Sequence, residues 1–79
     1  MLTYPRLMQE LIKQETGLAS FLLNEGIRPI TYSINHIGKF SLVVHEKERD
    51  SILTVLRQSN RISDVRVSNW NITGVYKHD

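Results

Sequence analysis

The chain has 79 residues, ten Lys and Arg, eight Asp and Glu and a formal net charge of +2, so it has room for one domain over residues 1–79 and shows no charge tract that selects a partner. The lack of cysteine excludes a disulfide framework, a thiolate nucleophile and a Cys-ligated zinc, and no apolar run approaches a signal-peptide core or the ~20 residues of a bilayer span, so a soluble, cytoplasmic protein with no membrane partner is expected. A globular composition of 41% hydrophobic residues in a domain that buries only about 60% of its unfolded surface makes a homodimer the expected supplement to the core.

From Pro5 to Glu25 the residues Leu7, Met8, Leu11, Ile12, Leu18, Ala19 and Leu22 recur at three- and four-residue steps, the stripe of a helix with one buried side. Pro5 suits a first turn and Asn24-Glu25-Gly26 a helix end. Gly17 costs ~1 kcal/mol relative to alanine inside a helix, and Thr16 is a candidate cap for a shorter helix from Gly17 to Glu25, which leaves residues 6–14 the weaker half. After Gly26 the period changes. Ile30, Tyr32 and Ile34 alternate with Thr31 and Ser33, and beyond a loop at 35–38 Phe40, Leu42 and Val44 alternate with Ser41 and Val43, which reads as a β-hairpin.

His45-Glu46-Lys47-Glu48-Arg49-Asp50 then leads into Ile52, Leu53 and Leu56, a second amphipathic helix with acidic residues in its first turn, Arg57 in its last and its end at Ser59-Asn60. Ile62, Val65 and Val67 form one strand, Ser68-Asn69-Trp70-Asn71 a connection, and Ile72-Thr73-Gly74-Val75-Tyr76 another. The order α-β-β-α-β-β predicts an α+β two-layer sandwich, ferredoxin-like, with two helices on one face of a four-stranded antiparallel sheet.

Over residues 17–76 this pattern resembles the ACT domain, a regulatory module of aspartate kinase and other enzymes of amino-acid metabolism. Gly17-Leu18-Ala19-Ser20-Phe21-Leu22-Leu23-Asn24-Glu25-Gly26-Ile27 is similar to that family's first helix, which opens with glycine and ends in Gly-Ile. Ile30-Thr31-Tyr32-Ser33 and Lys39-Phe40-Ser41-Leu42-Val43-Val44-His45-Glu46 are similar to its hairpin, which runs into an acidic helix start. Two departures stand out. Met1-Leu2-Thr3-Tyr4-Pro5 is too short for the family's first strand, while Asn71-Ile72-Thr73-Gly74-Val75-Tyr76 at the other end resembles one, so a permuted or strand-exchanged arrangement is expected. His45 replaces a usual acidic residue, and the Asn35-His36-Ile37-Gly38 loop is long.

The resemblance implies a non-catalytic regulatory module that senses an amino acid or similar small molecule as a homodimer. Its carboxylate partner would be backbone N–H groups at a helix start, here Thr16, Gly17 and Leu18, with Thr31, Ser33 and Asn35 as polar contributors. The alternative for Gly17 is simple close approach of helix to sheet. Trp70, with Ile72, Val75 and Tyr76 of an exchanged last strand, forms the candidate interface. His36, His45 and His78 lack metal-site spacing and no cofactor fingerprint occurs, so neither metal nor cofactor is expected. No nucleophile elbow or phosphate loop occurs either, which points away from an enzyme. A nucleic-acid-associated regulator, with bases stacked on Tyr32, Phe40, Trp70 or Tyr76, and a protein-binding adaptor or inhibitor are the alternative classes.

Overall fold

The structure, a computed structural model, describes residues 5–77. Helix α1 (Arg6–Asn24) is followed by strands β1 (Thr31–Ile34) and β2 (Lys39–Val43), a single 3-10 turn at Glu46–Glu48, helix α2 (Arg49–Gln58) and strands β3 (Ile62–Ser68) and β4 (Asn71–Tyr76). The four strands make one antiparallel sheet in the order β1-β2-β4-β3. The architecture is thus the expected α+β one, with two helices on a four-stranded antiparallel sheet.

Helix α1 ends where the sequence says it should. The Ile27 N–H donates to the Leu22 carbonyl at 2.9 Å across Gly26, the long-range bond of a Schellman stop. Within the helix there is no break at Thr16, contrary to the shorter-helix expectation. The ~1 kcal/mol that Gly17 costs is too small to stop a helix whose flanking turns are both good helix formers.

Alternation decides which strand residues enter the core. Ile34, Phe40, Leu42, Ile62, Ile72 and Tyr76 face Leu18, Phe21 and Leu22 of α1 and Ile52, Leu53 and Leu56 of α2. The register sets Leu42 opposite Ile72 and Phe40 opposite Gly74, in the middle of the buried face. The other face carries Ser33, Ser41, Thr73 and Arg66 in one row and Thr31, Val43, Asn71 and Ser68 in the next. No element covers those rows among the described residues. One irregularity interrupts β3 between Ser63 and Arg66, where Asp64 takes a φ of 53°, and a bulge on an edge strand blunts edge-to-edge pairing.

In the single chain the last strand completes its own sheet. β4 inserts between β2 and β3 of its own chain, so Ile72 is fully enclosed and Tyr76 nearly so, and neither presents a surface to a second copy. Val75 lies half-buried on the uncovered face, and Trp70 stands out at the β3–β4 turn, 54% exposed. Of the expected interface residues, Trp70 and Val75 therefore remain at the surface.

Helix α1 is longer than the sheet beneath it, and the molecule measures 47 × 23 × 21 Å. Leu18, Phe21 and Leu22 are buried, whereas Leu7 is 63% exposed and Met8 and Ile12 are exposed with it. The first turns of α1 extend the apolar stripe past the domain. Among the described residues no helix is long and apolar enough to cross a membrane.

Candidate functional site

Because α1 lies over β1 and α2 over β3, the helices stand apart and leave a trough between them. It is an open groove of about 1120 Å³, lined by α1 residues between Ile12 and Glu25, by Val55 and Gln58 of α2, by the loop Ser59-Asn60-Arg61 and by Tyr76 below. Here the chain brings polar groups together over an apolar floor, the usual character of a binding site.

Gly17 and Tyr76 shape the floor. A Cβ on Gly17 would sit 2.9 Å from Cε2 and 3.0 Å from the hydroxyl of Tyr76, so only glycine lets the helix pass over the ring. Phe21 lies beside it, ring centroids 6.0 Å apart and planes tilted by 55°. The Tyr76 side chain is thereby fixed, and its residue is only 4% exposed. Its hydroxyl has no hydrogen-bond partner among the described residues. Among the described residues the only fully enclosed side-chain polar atom without a partner is Gln14 Oε1, so the Tyr76 hydroxyl opens into the trough.

The rim is equally uncommitted. Thr16, Ser20, Asn24, Glu25, Gln58, Asn60 and the Arg61 guanidinium make no side-chain hydrogen bond or ion pair among the described residues. Ser59 Oγ accepts the Arg61 backbone N–H at 3.2 Å, which holds the loop, and Lys13 lies 3.9 Å from Glu10 in an exposed pair worth little.

Strand polarity orients the trough. The Lys77 N–H donates to the Arg61 carbonyl and the Tyr76 N–H to the Gly38 carbonyl, and Gln14 Nε2 reaches the His36 carbonyl at 3.4 Å. Arg61, Tyr76 and the Gln14 turn of α1 therefore share one end of the sheet. At the opposite end the Val44 N–H donates to the Trp70 carbonyl and Arg49 Nη1 to the Asn69 carbonyl. α1 runs from the first end toward the second, so Lys13 and Arg61 lie at one end of the trough and Glu25 at the other.

The residues expected to form an amino-acid site separate. Thr16 and Gly17 line the trough, but Leu18 is fully enclosed in the core. The backbone N–H groups of all three lie in the interior of a continuous helix, bonded to carbonyls one turn back, so they are not a carboxylate-binding helix start. Thr31 and Ser33 project on the uncovered face of the sheet, away from both helices. Asn35 is a turn residue: its Oδ1 accepts the N–H groups of Ile37 at 3.1 Å and Lys39 at 2.9 Å. Of the four aromatics considered for base stacking, Phe40 and Tyr76 are buried beneath the helices, Tyr32 and Trp70 are exposed, and among the described residues the uncovered face of the sheet carries no aromatic side chain. Among the described residues no group of three His, Asp or Glu side chains is placed to hold a metal; His78 lies outside them.

Sequence reasoning missed Asn24, Gln58 and Asn60, and read Arg61 only as a phosphate partner in the nucleic-acid alternative. Only the uncommitted polar residues flanking each helix end hinted at them. Comparison with family models, with curated proteins and with solved structures gives no match.

Proposed function

We propose that the chain is a non-catalytic regulatory or interaction module, ACT-like, that works as a homodimer and takes its ligand in the trough between α1 and α2. The observation that carries this reading is the Tyr76 hydroxyl, which opens into the trough from its floor and has no hydrogen-bond partner among the described residues. A phenol held rigidly at an apolar floor offers a bound molecule both a donor and an acceptor at a fixed place.

One further feature supports it. β4 sits between β2 and β3, the position that a ferredoxin-like sheet gives its first strand, so the chain reads as a βαββαβ order whose first strand has moved to the end.

Thermal unfolding against amino acids, short peptides, nucleotides and oligonucleotides, with light scattering on the same sample, tests the proposal. A ligand at a hundredfold excess over Kd adds about 2.7 kcal/mol and raises the midpoint by many degrees. Expected is a shift that shrinks at least fivefold in Tyr76→Phe, which keeps the ring and removes the hydroxyl. A shift unaffected by Tyr76→Phe would move the site elsewhere. One seen only with oligonucleotides and lost on adding salt would replace the reading with nucleic-acid binding. A monomer at micromolar concentration would remove the homodimer.

A further inference from the structure

We infer that the molecule held in the trough is an extended peptide of about five residues, its acidic end toward Arg61 and its basic end toward Glu25, and not a single amino acid. The inference rests on the trough being the binding site and adds what fills it.

Length decides first. Lys13 and Glu25 are twelve residues apart along α1, which at 1.5 Å per residue separates their backbones by about 18 Å. The carboxylate and ammonium of a free α-amino acid are a few ångströms apart, so it can meet the charge at one end only. An extended chain advances about 3.3 Å per residue, and five to six residues span the distance. Volume agrees: about 1120 Å³ is more than most drug-sized ligands fill.

Charge decides the direction. Among the described residues Arg61, with no protein carboxylate paired to it, stands at one end with Lys13, and Glu25, with no protein cation paired to it, at the other. A peptide with free termini carries the complementary pair, its C-terminal carboxylate for the guanidinium and its N-terminal ammonium for Glu25. Asn24 beside Glu25, and Gln58 and Asn60 beside Arg61, each offer both donor and acceptor to the peptide groups nearest the two ends. Phe21, Val55 and Tyr76 below give apolar contact to side chains that point downward. A nucleotide, whose charge is of one sign, leaves Glu25 opposed to it.

The experiment uses the full chain labelled with nitrogen-15, titrated with a degenerate pentapeptide pool with free termini, the same pool acetylated and amidated, and a mixture of free amino acids. Expected are shifts of the Gly17, Gln58, Asn60 and Arg61 amides with the free pool, the Trp70 indole serving as an unaffected control, and at least fivefold weaker binding for the capped pool. Arg61→Glu and Glu25→Lys, both at exposed positions, are expected to abolish the preference for free termini while leaving the spectrum folded. Equal binding of free and capped pools, or a preference unchanged in both variants, overturns the directional peptide. Saturation by free amino acids at the same amides overturns the peptide but keeps the trough as the site. No shift at those amides with any of the three overturns both.

Discussion

Gly17 is where a local cost is exchanged for a tertiary contact. In an isolated helix Gly17→Ala would gain about 1 kcal/mol. Here the new methyl would lie 2.9 Å from a ring that Phe21 and the sheet hold in place, and overpacking of that kind costs typically 1–3 kcal/mol. Gly17→Ala is therefore expected to destabilise the protein by about 1 kcal/mol in urea denaturation, the steric term exceeding the propensity gain. The same substitution made in a Tyr76→Leu background, where no ring obstructs it, is expected to stabilise by up to about 1 kcal/mol. The double-mutant cycle thus predicts a change of sign, and the same sign in both backgrounds would show that Tyr76 does not explain the glycine. Gly38 is fixed more strongly, since its φ of 91° favours glycine and a Cβ there would collide with the Tyr76 carbonyl oxygen.

At the scale of elements, the two halves of α1 differ in what holds them. Leu18, Phe21 and Leu22 are clamped on the sheet, whereas the turns before Lys13 carry Leu7, Met8 and Ile12 into solvent, and a short helical stretch without tertiary contacts is marginal in water. Native-state hydrogen exchange is expected to be at least tenfold faster at the amides of residues 10–13 than at those of residues 18–22. Uniform protection along α1 would instead mean that another surface, such as a second copy, covers the first turns. This contrast is also the limit of what periodicity conveys. The stripe from Leu7 to Leu22 marks one amphipathic helix correctly, but the point where the sheet stops beneath it, at Gln14 and the 35–38 loop, depends on strand lengths set elsewhere. Parity within β1 already separates Thr31 and Ser33 from the face that α1 covers, because Ile34 faces the core. The trough was only half legible: Thr16 and Gly17 are neighbours in sequence, whereas Gln58, Arg61 and Tyr76 reach them through α2 and the β3–β4 pairing, a register that no one-dimensional pattern encodes.

For the whole molecule, the consequence of the strand order is that the fourth strand in sequence is a central one. β4 pairs with both β2 and β3, so the sheet remains two separate pieces until β4 is in place. The same order puts the end of β4 and the start of α1 on one side of the molecule, since β4 finishes beside Gly38 and under Gly17 and α1 starts beyond that end of the sheet. Arg6 lies eleven residues before Gly17, about 16 Å along the helix axis, a distance that residues 78–79 and 1–4 with a few added glycines and serines can span. A permuted chain opened at the exposed Asn69-Trp70 turn, with its native ends joined in this way, would begin with β4 and run β-α-β-β-α-β. If the fold is a ferredoxin-like sandwich with its first strand moved to the end, this permutant keeps every strand pairing and is expected to unfold cooperatively, with a midpoint lowered by no more than about 10 °C, the cost of a few kcal/mol at a cut turn in a domain of this size. The early placement of the central strand is also expected to speed folding, because α1 can dock on β4 as soon as both exist. A permutant that fails to fold, beside a native chain that folds under the same conditions, would mean that the connection between β3 and β4 through Trp70 is itself required, and that the likeness in strand order does not extend to how the domain is held together.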